Sequence, residues 1–230
     1  VERETRLAAI GTLASQVVHD VRNGLTALLA RTDFARTKQP AGSVDRDLTI
    51  IEGLAVRLNR NLQDILDFAR GDDVKLKRQP ILARDLVQRL EDELASTFQH
   101  AHVALTTTLE GSLDVPLNVD IDRLHRAIEN LLLNARAAVV VSRPAVPEVA
   151  LTLQIAADEL NVIVDDSGPG LEAEAISRLF STFEAHGSTA GNGLGLATVR
   201  NVARAHGGEV HVLGNGPLGG ARFHIWLPNT

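Results

Sequence analysis

A seven-residue repeat at the N-terminus constrains this chain more than any other feature. From Val1 to about Lys38 there is no proline, the only glycines are Gly11 and Gly24, and Leu7, Ile10, Ala14, Val17, Val21, Gly24 and Leu28 recur at spacings of three and four. That spacing lays one apolar stripe along a helix. Leu13, Val18 and Leu25 widen the stripe from a two-strand seam to the breadth used in a four-helix bundle. Gln39-Pro40-Ala41-Gly42-Ser43 stops the helix, and Ser43 or Asp45 can cap a second one reaching about Arg70, with Leu48, Ile51, Leu54, Leu58, Leu62, Ile65 and Phe68 at helical spacing. Two helices bury one face poorly, so the pattern predicts a homodimer in which two hairpins build one four-helix bundle.

The pattern changes at Gly71-Asp72-Asp73, which gives a helical hairpin over residues 1–72 and a second unit over 73–230. In the second unit short β-branched or alternating runs trade places with helical ones. Strands are expected at Val74 to Ile81, His102 to Leu109 and Val115 to Asp120, the last at an edge because of Pro116. Helices are expected from about Ala83 to Thr97 and from Ile121 to about Val140. A hairpin of Val149 to Ala156 and Leu160 to Asp165 follows, then a helix from Leu194 to His206 and strands Glu209 to Leu213 and Arg222 to Leu227. Because strands and helices do not strictly alternate, the expected fold is an α+β sandwich with a mixed or largely antiparallel sheet and helices on one face. Trp226 is expected to pack against a helix.

Composition narrows the functions available. The 230 residues leave room for two units, and 44% apolar side chains supply a core. Twenty-three Lys+Arg against 29 Asp+Glu give a net charge of −6, which repels nucleic acid, and no Lys/Arg run offsets it. Zero cysteines remove disulfides, thiolate metal sites and cysteine nucleophiles together. No apolar stretch approaches a membrane span and no secretory signal opens the chain, so this segment is expected to be soluble and cytoplasmic. Because it begins without Met and inside a helical pattern, it reads as a piece of a longer protein. The membrane anchoring of that parent protein is open.

Four clusters carry chemistry. In the heptad register His19 falls opposite the apolar seam and faces water, with Asn23 and Thr26 four and seven residues later on the same stripe. A water-facing neutral imidazole is a competent nucleophile, and Asp20 can hold one ring nitrogen protonated so that the other keeps its lone pair. Taken alone, His19 also reads as a solvated surface histidine. Asn130 and Asn134 stand four apart on one flank of an otherwise apolar helix, where buried-edge amides need partners; a structural pair is the alternative. Asp166-Ser167-Gly168-Pro169-Gly170 follows directly on an apolar strand, and Gly191-Asn192-Gly193-Leu194-Gly195 opens a helix, whose free N–H groups suit phosphate. There is no Gly-x-x-x-x-Gly-Lys-Ser/Thr loop and no Gly-x-Gly-x-x-Gly turn. His100 and His102 lack a third metal ligand and read as surface.

The order of these clusters, with Phe180 and Phe183 between the last two, resembles the catalytic core of sensor histidine kinases of two-component systems, over essentially the whole chain. The resemblance implies a dimerisation and histidine-phosphotransfer hairpin followed by an ATP-binding catalytic domain of the histidine-kinase/gyrase type. It implies that His19 accepts phosphoryl, that Asp20 activates it, and that Asn23 positions water when a phosphorylated partner is dephosphorylated. Asn134 would bind Mg²⁺ with Asn130 helping, and Asp166 would read the adenine amine. Gly168, Gly170, Gly191, Gly193, Leu194 and Gly195 would flank a lid over ATP. The implied partners are a second copy, a response-regulator receiver domain and an upstream sensor module in the full-length chain. Three departures stand out: Gly24 replaces a common Pro, the aromatic segment lacks its usual Pro and Thr-Thr-Lys, and Arg222 stands where Thr is common. Arg136 and Arg178 are candidate phosphate contacts. The rival readings are a degenerate dimeric scaffold that binds ATP or regulator without turnover, and a gyrase-type ATPase. Against the ATPase, Asn130 occupies the place of the carboxylate that would activate water, and Glu129 is rotated roughly 100° around the helix.

Overall fold

The computed structural model describes residues 76–179 and 194–229, together with Thr26 and Ile51. The chain divides into two compact units, Val1–Arg70 and Gly71–Thr230. In the first, Thr26 is helical and exposed and Ile51 is helical and half-buried. The remaining expectations for the hairpin, including His19, Asp20 and Asn23, lie outside the described residues. So do Gly71-Asp72-Asp73, Phe180, Phe183, Gly191 and Gly193.

The second unit runs β1 (Gln79–Ile81), α1 (Ala83–His100), β2 (Ala104–Gly111), β3 (Leu117–Val119), α2 (Ile121–Ser142), β4 (Glu148–Ile155), β5 (Glu159–Asp166), α3 (Ala173–Arg178), α4 (Leu194–Ala205), β6 (Glu209–Leu213) and β7 (Arg222–Pro228). β1 and β3 form a separate antiparallel pair, with Pro80 opposite Asn118. The other strands form a sheet in the order β2-β4-β5-β7-β6, parallel between β2 and β4 and antiparallel elsewhere. The sheet is therefore mixed.

Local sequence explains each helix. Ala83, Leu86, Val87, Leu90, Leu94 and Phe98 are the buried face of α1, at spacings of three and four. α2 starts where the Asp120 carboxylate accepts from the Arg123 backbone N–H (3.3 Å). It ends where Arg143 turns left-handed (φ 51°) and donates its N–H to Val139 O. Between them Leu124, Ile128, Leu131, Leu132, Ala135 and Val139 are buried. Alternate residues of the strands meet this stripe, namely Leu151 and Leu153 of β4, Leu160, Val162 and Val164 of β5, and Phe223, Ile225 and Leu227 of β7; they share one core with α1, α2 and α4. Among the described residues no helix is long and apolar enough to cross a membrane.

Three expectations need correction. β1 begins at Gln79, not Val74, within the described residues: the Lys77 N–H is taken by the Asp120 carboxylate (2.9 Å) and so cannot join a ladder. Trp226 does not pack on a helix. Strand period two, with Phe223, Ile225 and Leu227 facing the core, sends its indole to the opposite face, where it donates to Glu159 Oε2 (2.8 Å). The short helix α3 is the third, unannounced by any periodicity in six residues.

His206, just past α4, ties the end of that helix to the end of β3. Its ring is 1% exposed; Nε2 accepts the Asp120 N–H (3.0 Å) and Nδ1 donates to Val202 O (2.8 Å), so both nitrogens of a neutral imidazole are used. Arg78 donates to its carbonyl (3.1 Å). Burial pushes the His206 pKa down, with the Val202 bond opposing.

Candidate nucleotide site

One stripe of α2 forms the floor of the candidate site. Asn130, Asn134 and Ala138 are four residues apart and so lie above one another on the helix. Asn130 is buried and Asn134, one turn on, is exposed. At one end Gly195, in the first turn of α4, lies against Asn130: a Cβ there would sit 3.7 Å from Asn130 Cγ. At the other end Gly168 lies against Ala138, where a Cβ would come within 3.1 Å of the alanine methyl. The two glycine segments that are far apart in sequence thus meet opposite ends of one helical stripe.

Asp166 closes the second end. It is the last residue of β5, 3% exposed, and its Oδ1 accepts the N–H groups of Gly168 (2.8 Å) and Ala221 (3.2 Å). Among the described residues both hydrogen bonds to this carboxyl fall on Oδ1, which leaves Oδ2 without a described protein donor. Burial raises the Asp166 pKa, the two N–H groups pull against it, and the neighbouring Asp165 charge adds to the rise. Backbone crowds the carboxyl so closely that only glycine fits at 220, where a Cβ would fall 2.0 Å from Asp166 Oδ1 and 2.5 Å from the Gly168 nitrogen. Gly170 is left-handed (φ 74°) and its Cβ would strike the Gly214 carbonyl at 2.5 Å. The loop after β5 and the turn between β6 and β7 are therefore packed as one backbone layer around Asp166.

The arrangement fits a purine nucleotide with its metal. A carboxylate oxygen held at a strand end can accept from an exocyclic amine. Asn130 Nδ2 is buried and has no hydrogen-bond partner among the described residues, an orphan that a ligand group would satisfy. Amide oxygens at 130 and 134 are the hard donors that Mg²⁺ takes. The start of α4 meets the same stripe where Gly195 lies against Asn130, and the first turn of a helix offers N–H groups that have no intrahelical acceptor.

Of the residues that the sequence motifs single out, Asn130, Asn134, Asp166, Gly168, Gly170 and Gly195 are brought to this one surface. Leu194 is the first residue of α4. Sequence reasoning missed Gly220 and Ala221, which clamp Asp166 by backbone alone; the Gly219-Gly220 pair was their only trace. Among the described residues no group of three or more His, Cys, Asp or Glu is arranged to hold a metal.

Residues 119–230 match the family described as histidine kinase-, DNA gyrase B- and HSP90-like ATPase. The chain is 30% identical over 232 residues to the sensor histidine kinase ZraS of Escherichia coli O157:H7, covering 99% of this chain and 48% of ZraS. It is 30% identical over 240 residues to the sensor protein ChvG of Rhizobium meliloti (strain 1021), covering 97% of this chain and 41% of ChvG. The chain thus spans about half the length of such relatives or less. Among solved structures, full-length ShkA in complex with AMPPNP has the same fold, with a TM-score of 0.65 at 24% identity over 99% of this chain and 46% of ShkA. Histidine kinase ThkA in complex with the response regulator TrrA gives a TM-score of 0.68 at 19% identity, over 99% of this chain and 64% of that one. Matched sequence along nearly the whole chain and a shared fold agree with the site assembled above: the chain is homologous to sensor histidine kinases, with residues 119–230 as its ATPase-type domain.

Proposed function

We propose that this chain is the catalytic core of a protein-histidine kinase that moves the γ-phosphoryl group of ATP to His19 and from there to an aspartate of a response-regulator receiver domain. The observation that carries the proposal is the Asp166 carboxyl, clamped through Oδ1 by Gly168 and Ala221 at the end of the Asn130–Asn134–Ala138 stripe. In this reading Asp166 accepts the adenine amine and excludes bases that lack it. Asn134, with Asn130 beside it, holds Mg²⁺, which when bound neutralises phosphate charge. Helix-start N–H groups at Gly193, Leu194 and Gly195 orient the phosphate chain, with Gly191 leading into them, and Gly168 and Gly170 let backbone lie close to the base beside Asp166. Asp20 holds one His19 ring nitrogen protonated and leaves the other free to attack.

The hairpin of residues 1–72 then serves as dimerisation and phosphoacceptor unit, pairing in a four-helix bundle, and residues 73–230 as the nucleotide unit. Gly71-Asp72-Asp73 is the joint about which the two approach. A relative, ThkA, has been solved in complex with a response regulator, which supports a receiver domain as the partner here. Asn23 would orient water for dephosphorylation of that partner. An upstream sensor would lie in the part of the protein outside this chain.

The test is incubation with γ-labelled ATP and Mg²⁺, comparing the chain with His19→Ala. Label that is lost in acid, survives alkali and is absent from the variant is the expected result. Equal release of free phosphate by both, with no retained label, would instead support an ATPase. ATP binding with no turnover would support the scaffold.

A further inference from the structure

Asp165 and Arg222 face each other across β5 and β7, directly opposite in register. Arg222 donates Nε to Oδ1 (2.7 Å) and Nη2 to Oδ2 (2.8 Å) of the same carboxylate, a bidentate fork. The Asp165 side chain is 8% exposed and that of Arg222 30%. Each partner adjoins the Asp166 clamp. Asp165 precedes Asp166, and Arg222 follows Ala221, whose N–H binds Asp166 Oδ1 (3.2 Å) while its carbonyl accepts the Asp166 N–H (3.1 Å). The turn that closes over the clamp rests on the pair too: a Cβ at Gly216 would meet Asp165 Oδ1 at 2.9 Å and Arg222 Cβ at 3.2 Å.

We propose that Arg222 is a positioning residue for nucleotide recognition, holding the Asp165 carboxylate so that Ala221 and Gly220 stay seated on Asp166 and part of the charge beside the Asp166 carboxylate is offset. The proposal rests on Asp166 being the adenine acceptor. Strand geometry requires it to work indirectly, because residues 165 and 166 point to opposite faces of the sheet and Arg222 shares the face of Asp165. Among the described residues the charged groups around Asp166 are few. Asp165 adjoins it on β5, Arg222 lies across on β7, and Glu148 flanks Val149, the β4 residue opposite Asp166. From α2 the side chain packed at this corner is the methyl of Ala138. Arg222 is the cation paired with Asp165, and its loss leaves that carboxylate uncompensated beside Asp166. Like charges favour the protonated form, and a protonated Asp166 is a poorer acceptor. Burial already raises the Asp166 pKa and Asp165 adds to the rise, so loss of the counter-charge on Asp165 pushes it further in the same direction.

The experiment is calorimetric titration of the 230-residue chain with AMPPNP and Mg²⁺ from pH 5 to 8.5, for wild type, Arg222→Gln, Arg222→Lys, Asp165→Asn, the double variant Asp165→Asn/Arg222→Gln, and Asp166→Asn. In Arg222→Gln the acidic limb of binding should move up by about half to one pH unit. Arg222→Lys should recover part of that shift, and the double variant should return the limb to its wild-type position. Two results overturn the proposal while leaving Asp166 as the adenine acceptor. One is an Arg222→Gln limb that coincides with wild type although Asp166→Asn has lost binding. The other is a double variant as impaired as Arg222→Gln at every pH, which would make the pair a structural register lock only. Unchanged binding by Asp166→Asn would instead overturn the reading of Asp166 itself, and with it this proposal.

Discussion

Asn130 and Gly195 lie in contact across the junction of α2 and α4, with room for one methyl group and no more: a Cβ on residue 195 would rest 3.7 to 3.8 Å from the amide of Asn130. That is ordinary van der Waals separation. Gly195→Ala should therefore leave the fold intact, and by helix propensity stabilise it by up to about 1 kcal/mol, while filling space next to the Asn130 amide. Thermal unfolding unchanged or raised, with weakened binding of AMPPNP, is the expected pair of results. Unaltered binding would place the phosphates away from this junction.

Gly220→Ala is the contrasting case. Its methyl would overlap Asp166 Oδ1 and the Gly168 nitrogen, both held by backbone. It should lower stability by more than about 2 kcal/mol and remove nucleotide binding together, as read by denaturant unfolding and calorimetry.

Asn130 presents an opposite coupling. A buried amide nitrogen with no partner among the described residues costs stability in the free protein. Asn130→Leu should accordingly be neutral or stabilising, by about 1 kcal/mol, in the absence of nucleotide. In its presence the variant should lose the stabilisation that wild type gains from ligand, measured as the shift in melting temperature on adding AMPPNP and Mg²⁺.

His206 gives the fold a pH dependence whose sign can be worked out. Burial lowers its pKa below the ordinary 6.5, so between the two values the unfolded chain binds more protons than the folded one. Stability from this group is fully present above pH 6.5 and is lost as pH falls below it toward the folded pKa. His224 is shifted the same way, by burial and then by the charges of His211 and Arg222, and adds to the slope. Urea unfolding from pH 8 to 5.5 should show a shallower decline in His206→Gln than in wild type, with a further reduction when His224→Gln is added. A slope identical in all three proteins would remove histidine burial as its cause.

What was legible in the sequence was whatever is encoded within a few residues. β6 lies at Glu209–Leu213 as its alternation says, and α2 starts at Ile121, where its apolar stripe begins, although Asp120 caps that helix rather than ending a strand. Asn130, Asn134, Asp166 and Gly195 could be singled out because each sits in a compact motif. Relationships between distant segments left no such mark. The Arg222 fork on Asp165 joins residues 57 positions apart, and its alternating strands reveal which side chains share a face, not which oppose each other. Trp226 shows the converse error: aromatic bulk suggested the core, whereas the pleat had assigned that face to Ile225 and Leu227. The start of β1 depended on the Asp120 carboxylate capturing the Lys77 N–H, a contact across 43 positions.

The parallel register of β2 on β4 has a consequence for how the domain is assembled. β4, β5, β7 and β6 can pair through antiparallel contacts, and the β4–β5 turn is short, so Ala156 to Asp158 close that hairpin quickly. β2 cannot join until the chain from Ser112 to Pro147, with β3 and all of α2 in it, has crossed the sheet and settled. Loop closure over that distance is slow relative to a hairpin. Amides of β2 should therefore gain protection after those of β4 and β5 in a pulsed hydrogen-exchange refolding experiment, and the stripe carrying Asn130 and Asn134 is laid down in the same late step. The nucleotide surface would then be one of the last parts of the domain to exist.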